Sequence, residues 1–452
     1  MQITFLGATG TVTGSRYLLE CADARLMIDC GLFQGYKQLR LKNWSAPPFD
    51  PRAVNAVVLT HAHIDHSGYL PLLAKRGFSG KIHATQATLE LCRILLPDSG
   101  YLQEEQARFA NRHGFSKHSP ALALYTEKDA RRCLRQFQGE AFDTAFMPCP
   151  DVTVRLSHAG HLPGAASVHV TYGDTSILFS GDLGRPGDAL MRAPSPPPAC
   201  DYLVIESTYG DRTHPQSDPA QELAVAINRA VANNGVIVVP TFAVGRAQLL
   251  LLLIARLKAA RLIADVPVYL DSPMAIDATE LFQRFAAEHR LSAQECALLS
   301  RSAQLTRTAD QSRTLDALRE PAIILAASGM ATGGRVVHHL KTFLPDARNL
   351  ILLTGFQAGG TRGAALAAGA QHLRIHGQDI PVRAEVVQLS SMSAHADATE
   401  LIEWLRKIPN APKQIFITHG ETAASDALRQ RIEHELRWPV TVPEYRDVAV
   451  LS

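Results

Sequence analysis

The sequence predicts an α/β protein in which a domain built on a parallel sheet is inserted inside a first, outer domain. Three observations point to it. Between residues 1 and 207 short apolar runs each end on a polar or acidic side chain. From about Tyr209 strand-like runs alternate with longer helical ones. Near residue 384 the first style returns, so that histidines far apart in the chain read as parts of one site.

In the outer part, Met1 to Gly7 reads at once as a strand. Leu26 to Ile28 then runs into Asp29, Val57 to Leu59 into Thr60 and His61, Ile177 to Phe179 into Ser180-Gly181-Asp182, and Leu203 to Ile205 into Glu206. Each strand delivers a functional side chain at its carboxyl end. A helical stretch around Gln103 to Arg112 reads as a crossover, and Pro194 to Pro198 as a surface turn. In the middle, Ser217-Asp218-Pro219 opens a helix, since a side-chain acceptor followed by proline suits a first turn, and Asn233-Asn234-Gly235 closes it. Strand Val236 to Val239, helix Ala247 to Lys258 and strand Val266 to Leu270 follow. Strands Ala322 to Ala326 and Leu350 to Leu353 lead into glycine-bearing turns at residues 328–334 and 357–363. Strands Glu385 to Leu389 and Gln414 to Thr418 then bring the chain to His395 and His419. The expected division is residues 1–208 and 385–452 for the outer domain and 209–384 for the inserted one.

A chain of 452 residues, 46% hydrophobic and 19% charged, is that of a folded protein of two or three domains. It shows neither a signal-peptide start nor an 18-residue uncharged apolar run, and the expectation is a cytoplasmic protein. Its seven cysteines are scattered and never spaced as CxxC, which argues against both a disulfide framework and a thiolate zinc site. A net charge of +2 neither demands a nucleic-acid partner nor excludes one, so any grip on a polyanion must be local.

The strongest chemical signal is His61-Ala62-His63-Ile64-Asp65-His66, four metal-binding side chains in six residues just after an apolar strand. Zinc takes nitrogen from neutral imidazole and oxygen from carboxylate. Further ligand types stand at other strand ends: His161, Asp182 and His419. The natural partition of these seven puts His61, His63 and His161 on one ion, Asp65, His66 and His419 on a second, and Asp182 between them. Two metals about 3.5–4 Å apart can share a hydroxide and neutralise the charge on a phosphoryl group under attack. Such chemistry suits phosphodiesters. Asp29 either orients the HxHxDH loop or caps its strand.

The HxHxDH run followed by single His, Asp and His positions resembles the metallo-β-lactamase superfamily. The runs Leu6 to Ser15, Glu206-Ser207-Thr208-Tyr209-Gly210, Pro240 to Arg246, Ser328-Gly329-Met330 and Ser393-Ala394-His395-Ala396-Asp397 resemble its β-CASP branch of nucleic-acid processing nucleases, over essentially the whole chain. The resemblance implies a metallo-β-lactamase αββα sandwich with an inserted β-CASP domain, two Zn2+ ions with Mn2+ as an alternative, and single-stranded RNA as substrate. It further implies catalytic roles for Asp65, Asp182, Glu206 and His395. The histidine would contact the scissile phosphate or protonate the leaving 3′ oxygen, and Glu206 would hold its tautomer. A histidine at 419, where DNA-processing relatives tend to carry valine, favours RNA.

Between residues 209 and 384 there are 18 Lys and Arg against 14 Asp and Glu. With the glycine turns, this makes Arg246, Ser328, Gly329, Thr361 and Arg362 candidates for RNA phosphate, although Arg is also this chain's preferred cation throughout. The enzyme reading predicts a groove between the domains that admits extended single strands. About thirty residues follow His419, which leans toward an endonuclease over a 5′ exonuclease. A small-molecule hydrolase of the same fold would share the metal residues but has no need of the long insertion; an inactive RNA-binding scaffold would have lost ligands, and none is missing. Self-association as a homodimer is expected through surfaces that the sequence does not expose.

Overall fold

The structure, a computed structural model, describes residues 1–452 apart from residues 23, 115, 117 and 216 and the side chain of Ser390. The chain forms two compact units, Met1–Thr213 with His395–Ser452, and His214–Ala394.

The outer unit contains two seven-stranded sheets. One runs in the order Val448–Val450, Gln2–Phe5, Tyr17–Cys21, Ala24–Ile28, Ala56–Val58, Lys81–Thr85, Phe137–Glu140. The other runs Val440–Thr441, Gln414–Thr418, Tyr202–Glu206, Thr175–Phe179, Ala166–Tyr172, Val152–His158, Ala145–Cys149. One apolar core joins them: Ile3, Phe5, Leu19, Leu26 and Val58 from the first sheet meet Val154, Val168, Ile177, Val204 and Phe416 from the second. The Phe5 and Phe416 rings lie 5.1 Å apart and those of Tyr17 and Phe179 5.4 Å, so aromatic pairs stitch the two layers. Helix Gln86–His113 buries Ala87, Leu91, Cys92, Leu95 and Leu96 and packs on strands Lys81–Thr85 and Phe137–Glu140. The helical signal around residues 103–112 is only its exposed second half, beyond an internal Pro97.

Register decides where the functional ends fall. Strands Ala24–Ile28, Ala56–Val58 and Lys81–Thr85 are parallel neighbours, so Asp29 and the Thr60-His61 turn leave the same edge. In the facing sheet Tyr202–Glu206 pairs in parallel with both Thr175–Phe179 and Gln414–Thr418, with Glu206 opposite Thr418. Asp182, Glu206 and His419 therefore also leave one edge.

The second unit is built on a six-stranded sheet in the order Gln304–Leu305, Val268–Asp271, Ala322–Ala326, Val236–Pro240, Leu350–Leu353, Glu385–Gln388, parallel at every pairing. Helix Arg246–Ala259 is buried over most of its length, which its Leu249-to-Ile254 run requires. Helix Arg335–Phe343 adds Val336, Val337, Leu340 and Phe343 to the core. Strand Glu385–Gln388 belongs to this sheet, paired with Leu350–Leu353, and not to the outer domain where the sequence reading puts it. Its local pattern suits either sheet, and only the non-local partner decides. Among the described residues no helix is long and apolar enough to cross a membrane.

Candidate metal centre

The HxHxDH segment is a tight loop closed by one helical turn, Ile64–Ser67. Neighbouring loops clamp its backbone: Ser15 N donates to Asp65 O at 2.8 Å, Cys30 N to His66 O at 2.7 Å and Leu32 N to Ile64 O at 2.9 Å. Gly31 lies against this turn so closely that a Cβ would overlap the Asp65 carbonyl. Asp29, in left-handed backbone with φ 57°, turns its carboxylate to the base of the HxHxDH loop rather than to its own strand. Its Oδ1 accepts from Thr60 N at 2.8 Å, and its Oδ2 lies 2.7 Å from His66 Nδ1. A carboxylate only accepts, so His66 carries a proton on Nδ1; burial disfavours its charge, but Asp182 and Asp29 outweigh burial and raise the ring well above 6.5, and Nε2 is the nitrogen left to meet a cation.

The remaining donors converge from the other sheet. His61 Nε2 and His63 Nδ1 are 3.1 Å apart, His161 Nε2 and His63 Nδ1 3.2 Å, and Asp182 Oδ2 lies 3.4 Å from His61 Nε2 and 3.7 Å from His161 Nε2. A tetrahedral zinc with bonds near 2.0–2.1 Å has ligand–ligand edges of about 3.3 Å, so this quartet has the dimensions of a zinc coordination shell. A second group shares Asp182: His66 Nε2 is 3.0 Å from His419 Nε2 and 3.2 Å from Asp182 Oδ1, and His419 Nε2 is 3.5 Å from Asp65 Oδ2. Asp182 Oδ1 is buried and makes no well-directed hydrogen bond despite that neighbour. His419 adopts φ 50°, a costly backbone for histidine, and its N–H donates to Ala8 O at 2.7 Å. All seven side chains that the sequence marked as ligands thus meet within one unit.

Electrostatics divide the rings of the cluster, with His66 raised and His61 and His63 lowered. Burial drives His61 well below the ordinary imidazole range and His63 down to about 4, against the pull of Asp182 on both, which leaves neutral, lone-pair-bearing rings. Burial opposes ionisation of Asp182, yet His419, His66 and His61 hold it well below the carboxylate range. The buried carboxylates require compensating positive charge, which the raised His66 ring supplies in part and a bound cation would supply in its place.

Beside the cluster, Glu206 accepts from Leu183 N at 2.6 Å, from Thr208 Oγ1 at 2.6 Å and from His395 Nδ1 at 3.1 Å. With its oxygens so engaged it positions the His395 imidazole, and it also stands with Asp182 and His419 in a group that could hold an ion. His395 Nε2 is 4.0 Å from Asp182 Oδ2. Burial disfavours its charge, but Glu206 outweighs burial and the imidazole is pushed up to about 9. Sequence reading missed two supports. Thr208 Oγ1 bonds Glu206 and lies 3.1 Å from His419 Nδ1; Thr60 Oγ1 lies 3.1 Å from His61 Nδ1. Their only signal is adjacency to Glu206 and His61.

The five phosphate candidates all lie in the other unit. Arg246 opens its helix and is buried. Ser328 Oγ accepts from Thr332 N at 3.1 Å, Gly329 packs against the Phe242 ring, and Thr361 caps Ala364 N at 3.1 Å. Arg362 donates to the carbonyls of Ala331, Thr332 and Arg374, lacing the two glycine turns together.

Three family models match the chain: the metallo-β-lactamase superfamily at residues 10–97, a Beta-Casp domain at 247–366, and a Zn-dependent metallo-hydrolase RNA specificity domain at 379–443. Ribonuclease TTHA0252 of Thermus thermophilus is 34% identical over 429 residues, covering 93% of each chain. Transcription termination factor FttA of Methanocaldococcus jannaschii is 29% identical over 472 residues, 99% of this chain and 72% of that one. A solved structure of a protein of unknown function from Enterococcus faecalis shares the fold, with a TM-score of 0.52 at 16% identity, covering 100% of this chain and 99% of that one. The ligand cluster and the metallo-hydrolase matches make this a metal-binding protein. The chain belongs to the β-CASP family of the metallo-β-lactamase superfamily.

Proposed function

We propose that the protein is a zinc-dependent ribonuclease that hydrolyses phosphodiester bonds within single-stranded RNA. The observation that carries the reading is the His61–His63–His161–Asp182 quartet beside the Asp65–His66–His419 trio, with Asp182 Oδ1 3.2 Å from His66 Nε2, next to the Glu206–His395 pair. The ribonuclease relative and the RNA specificity match support RNA as the substrate class. Seven buried, unpaired thiols support a cytoplasmic setting.

His61, His63, His161 and Asp182 would hold one ion, and Asp65, His66, His419 and Asp182 the other; manganese suits the same oxygen and nitrogen donors. Bound metal would supply a nucleophilic water at neutral pH and charge neutralisation at the phosphoryl group. Asp29 fixes the His66 tautomer, and Thr60 and Thr208 steady His61 and His419. Glu206 holds His395 by Nδ1, keeping the ring protonated at neutral pH with Nε2 turned toward Asp182. From there it meets the scissile phosphate or gives its proton to the leaving 3′ oxygen. Arg246, Ser328, Gly329, Thr361 and Arg362 remain candidates for the flanking phosphates.

The test is cleavage of end-labelled single-stranded RNA and its DNA counterpart, with Asp182→Ala and His395→Ala alongside and metal content measured on each. Internal RNA cuts lost in both variants, with metal lost only from Asp182→Ala, support the reading. A metal-loaded wild type inert on RNA overturns it in favour of a small-molecule hydrolase.

A further inference from the structure

The loop after Asp29 does something its core does not require. Helix Lys37–Lys42 buries none of its own residues, and six residues are too few for a helix stable by itself. It is held instead at its neck: Phe33 N donates to Asn43 Oδ1 at 3.0 Å and Asn43 Nδ2 donates back to Phe33 O at 2.8 Å, both buried. Arg16 Nη2 adds a third bond to Asn43 Oδ1 at 3.3 Å. The loop so closed displays Tyr36, Leu41 and Trp44, exposed by 58%, 50% and 50%. Large apolar side chains exposed within nine residues, on a loop whose neck is closed by buried hydrogen bonds, mark a contact surface.

Charge identifies what the surface contacts. From residue 30 to residue 49 there is no Asp or Glu, while Lys37, Arg40 and Lys42 stand among the aromatics. Lys42 Nζ sits 4.0 Å from the Tyr445 ring centroid, whereas Lys37 and Arg40 form no ion pair among the described residues. Exposed aromatic faces interleaved with unpaired cations suit single-stranded nucleic acid, whose bases stack and whose phosphates need neutralising. A second copy of the chain fits poorly, because a two-fold contact would set like charge against like. The loop continues directly from the strand-end segment in which Asp29 meets His66 and Leu32 N donates to Ile64 O, so hydrogen bonds tie its base to the metal-ligand turn.

We propose that residues 34–44 form a platform for the RNA strand flanking the cut, with Tyr36 and Trp44 stacking bases and Lys37 and Arg40 meeting phosphates. The proposal rests on the ribonuclease reading above, and its test is read without cleavage. In a His395→Ala background, binding of a long single-stranded RNA is measured by anisotropy for Tyr36→Ala, Trp44→Ala and the pair Lys37→Gln with Arg40→Gln. Each lost stack weakens binding roughly tenfold. The double Gln variant lowers the salt slope by about 1.4, from two phosphate contacts at roughly 0.7 each. RNA should also quench tryptophan fluorescence, and Trp44→Phe should remove most of that quench. Variants that melt like wild type yet keep affinity, salt slope and quench overturn the platform. So does a wild-type dimer that Trp44→Ala makes monomeric while RNA affinity is unchanged. A wild type that binds RNA through these residues but cuts none instead refutes the ribonuclease reading alone.

Discussion

Replacing Asp29 by Asn tests whether the metal site depends on a tautomer set outside it. The carboxylate receives the Thr60 N–H at 2.8 Å on Oδ1 and faces His66 Nδ1 at 2.7 Å on Oδ2. An amide keeps the carbonyl for Thr60 but turns an N–H toward His66 Nδ1. The imidazole then accepts there, and its proton moves to Nε2, the nitrogen that faces Asp182 Oδ1 at 3.2 Å. A protonated nitrogen cannot ligate. Loss of such a supporting carboxylate costs about 10- to 100-fold in metal affinity, or roughly 1.4–2.7 kcal/mol. Chelator competition on purified Asp29→Asn, with metal content counted by mass spectrometry, should show one of two ions weakened by that amount. The His61–His63–His161 group should keep its ion. A folded variant with unchanged affinity and stoichiometry would refute the tautomer argument.

Other consequences follow from the same geometry. Gly31→Ala should displace the Asp65–His66 turn and lower both metal content and melting temperature, since the obstructing atoms are backbone. Glu206→Gln and His395→Ala should each cut kcat by about 10²–10⁴ while metal content stays at the wild-type level. Stripping metal with a chelator should lower the melting temperature, because the ions bind only the folded state, and added zinc should restore it. In the inserted unit, buried His339 lies 2.7 Å from Asp271 and 2.8 Å from Asp316. Burial opposes its charge, but the two carboxylates raise its pKa above 6.5. That stabilisation is fully present below the unfolded value of about 6.5 and is lost as pH rises through the raised folded value. Melting scans from pH 6 to pH 9 should show a decline that His339→Gln makes shallower, the raised His395 and His66 rings accounting for the remainder.

The site was legible where chemistry is written locally. Apolar strands that stop on His61, Asp182 or His419 announce a cluster because such side chains at strand ends have few structural uses, and parallel register then brings the ends together. The antiparallel run Ala145–Cys149, Val152–His158, Ala166–Tyr172 escaped notice. Its alternation of buried Val152, Val154 and Leu156 with exposed Thr153 and Arg155 was available, but it carries no functional residue until His161. The Glu385–Gln388 strand was misplaced because partner choice depends on Leu350–Leu353, some thirty residues away. Arg362 reads as a phosphate ligand in one dimension, while its bonds to three carbonyls exist only once the two glycine turns meet. Thr60 and Thr208 illustrate the same limit, since a hydroxyl that steadies an imidazole has no motif of its own.

In the proposed reaction water hydrolyses RNA at the Asp182-centred site and a 3′ oxygen departs. Mass analysis of RNA fragments formed in 18O-labelled water tests it most directly. Internal cuts should carry one 18O in each new 5′ phosphate, leave a 3′ hydroxyl on the other fragment, and be absent from Asp182→Ala. Fragments ending in 2′,3′-cyclic or 3′ phosphates, persisting in Asp182→Ala, would contradict it.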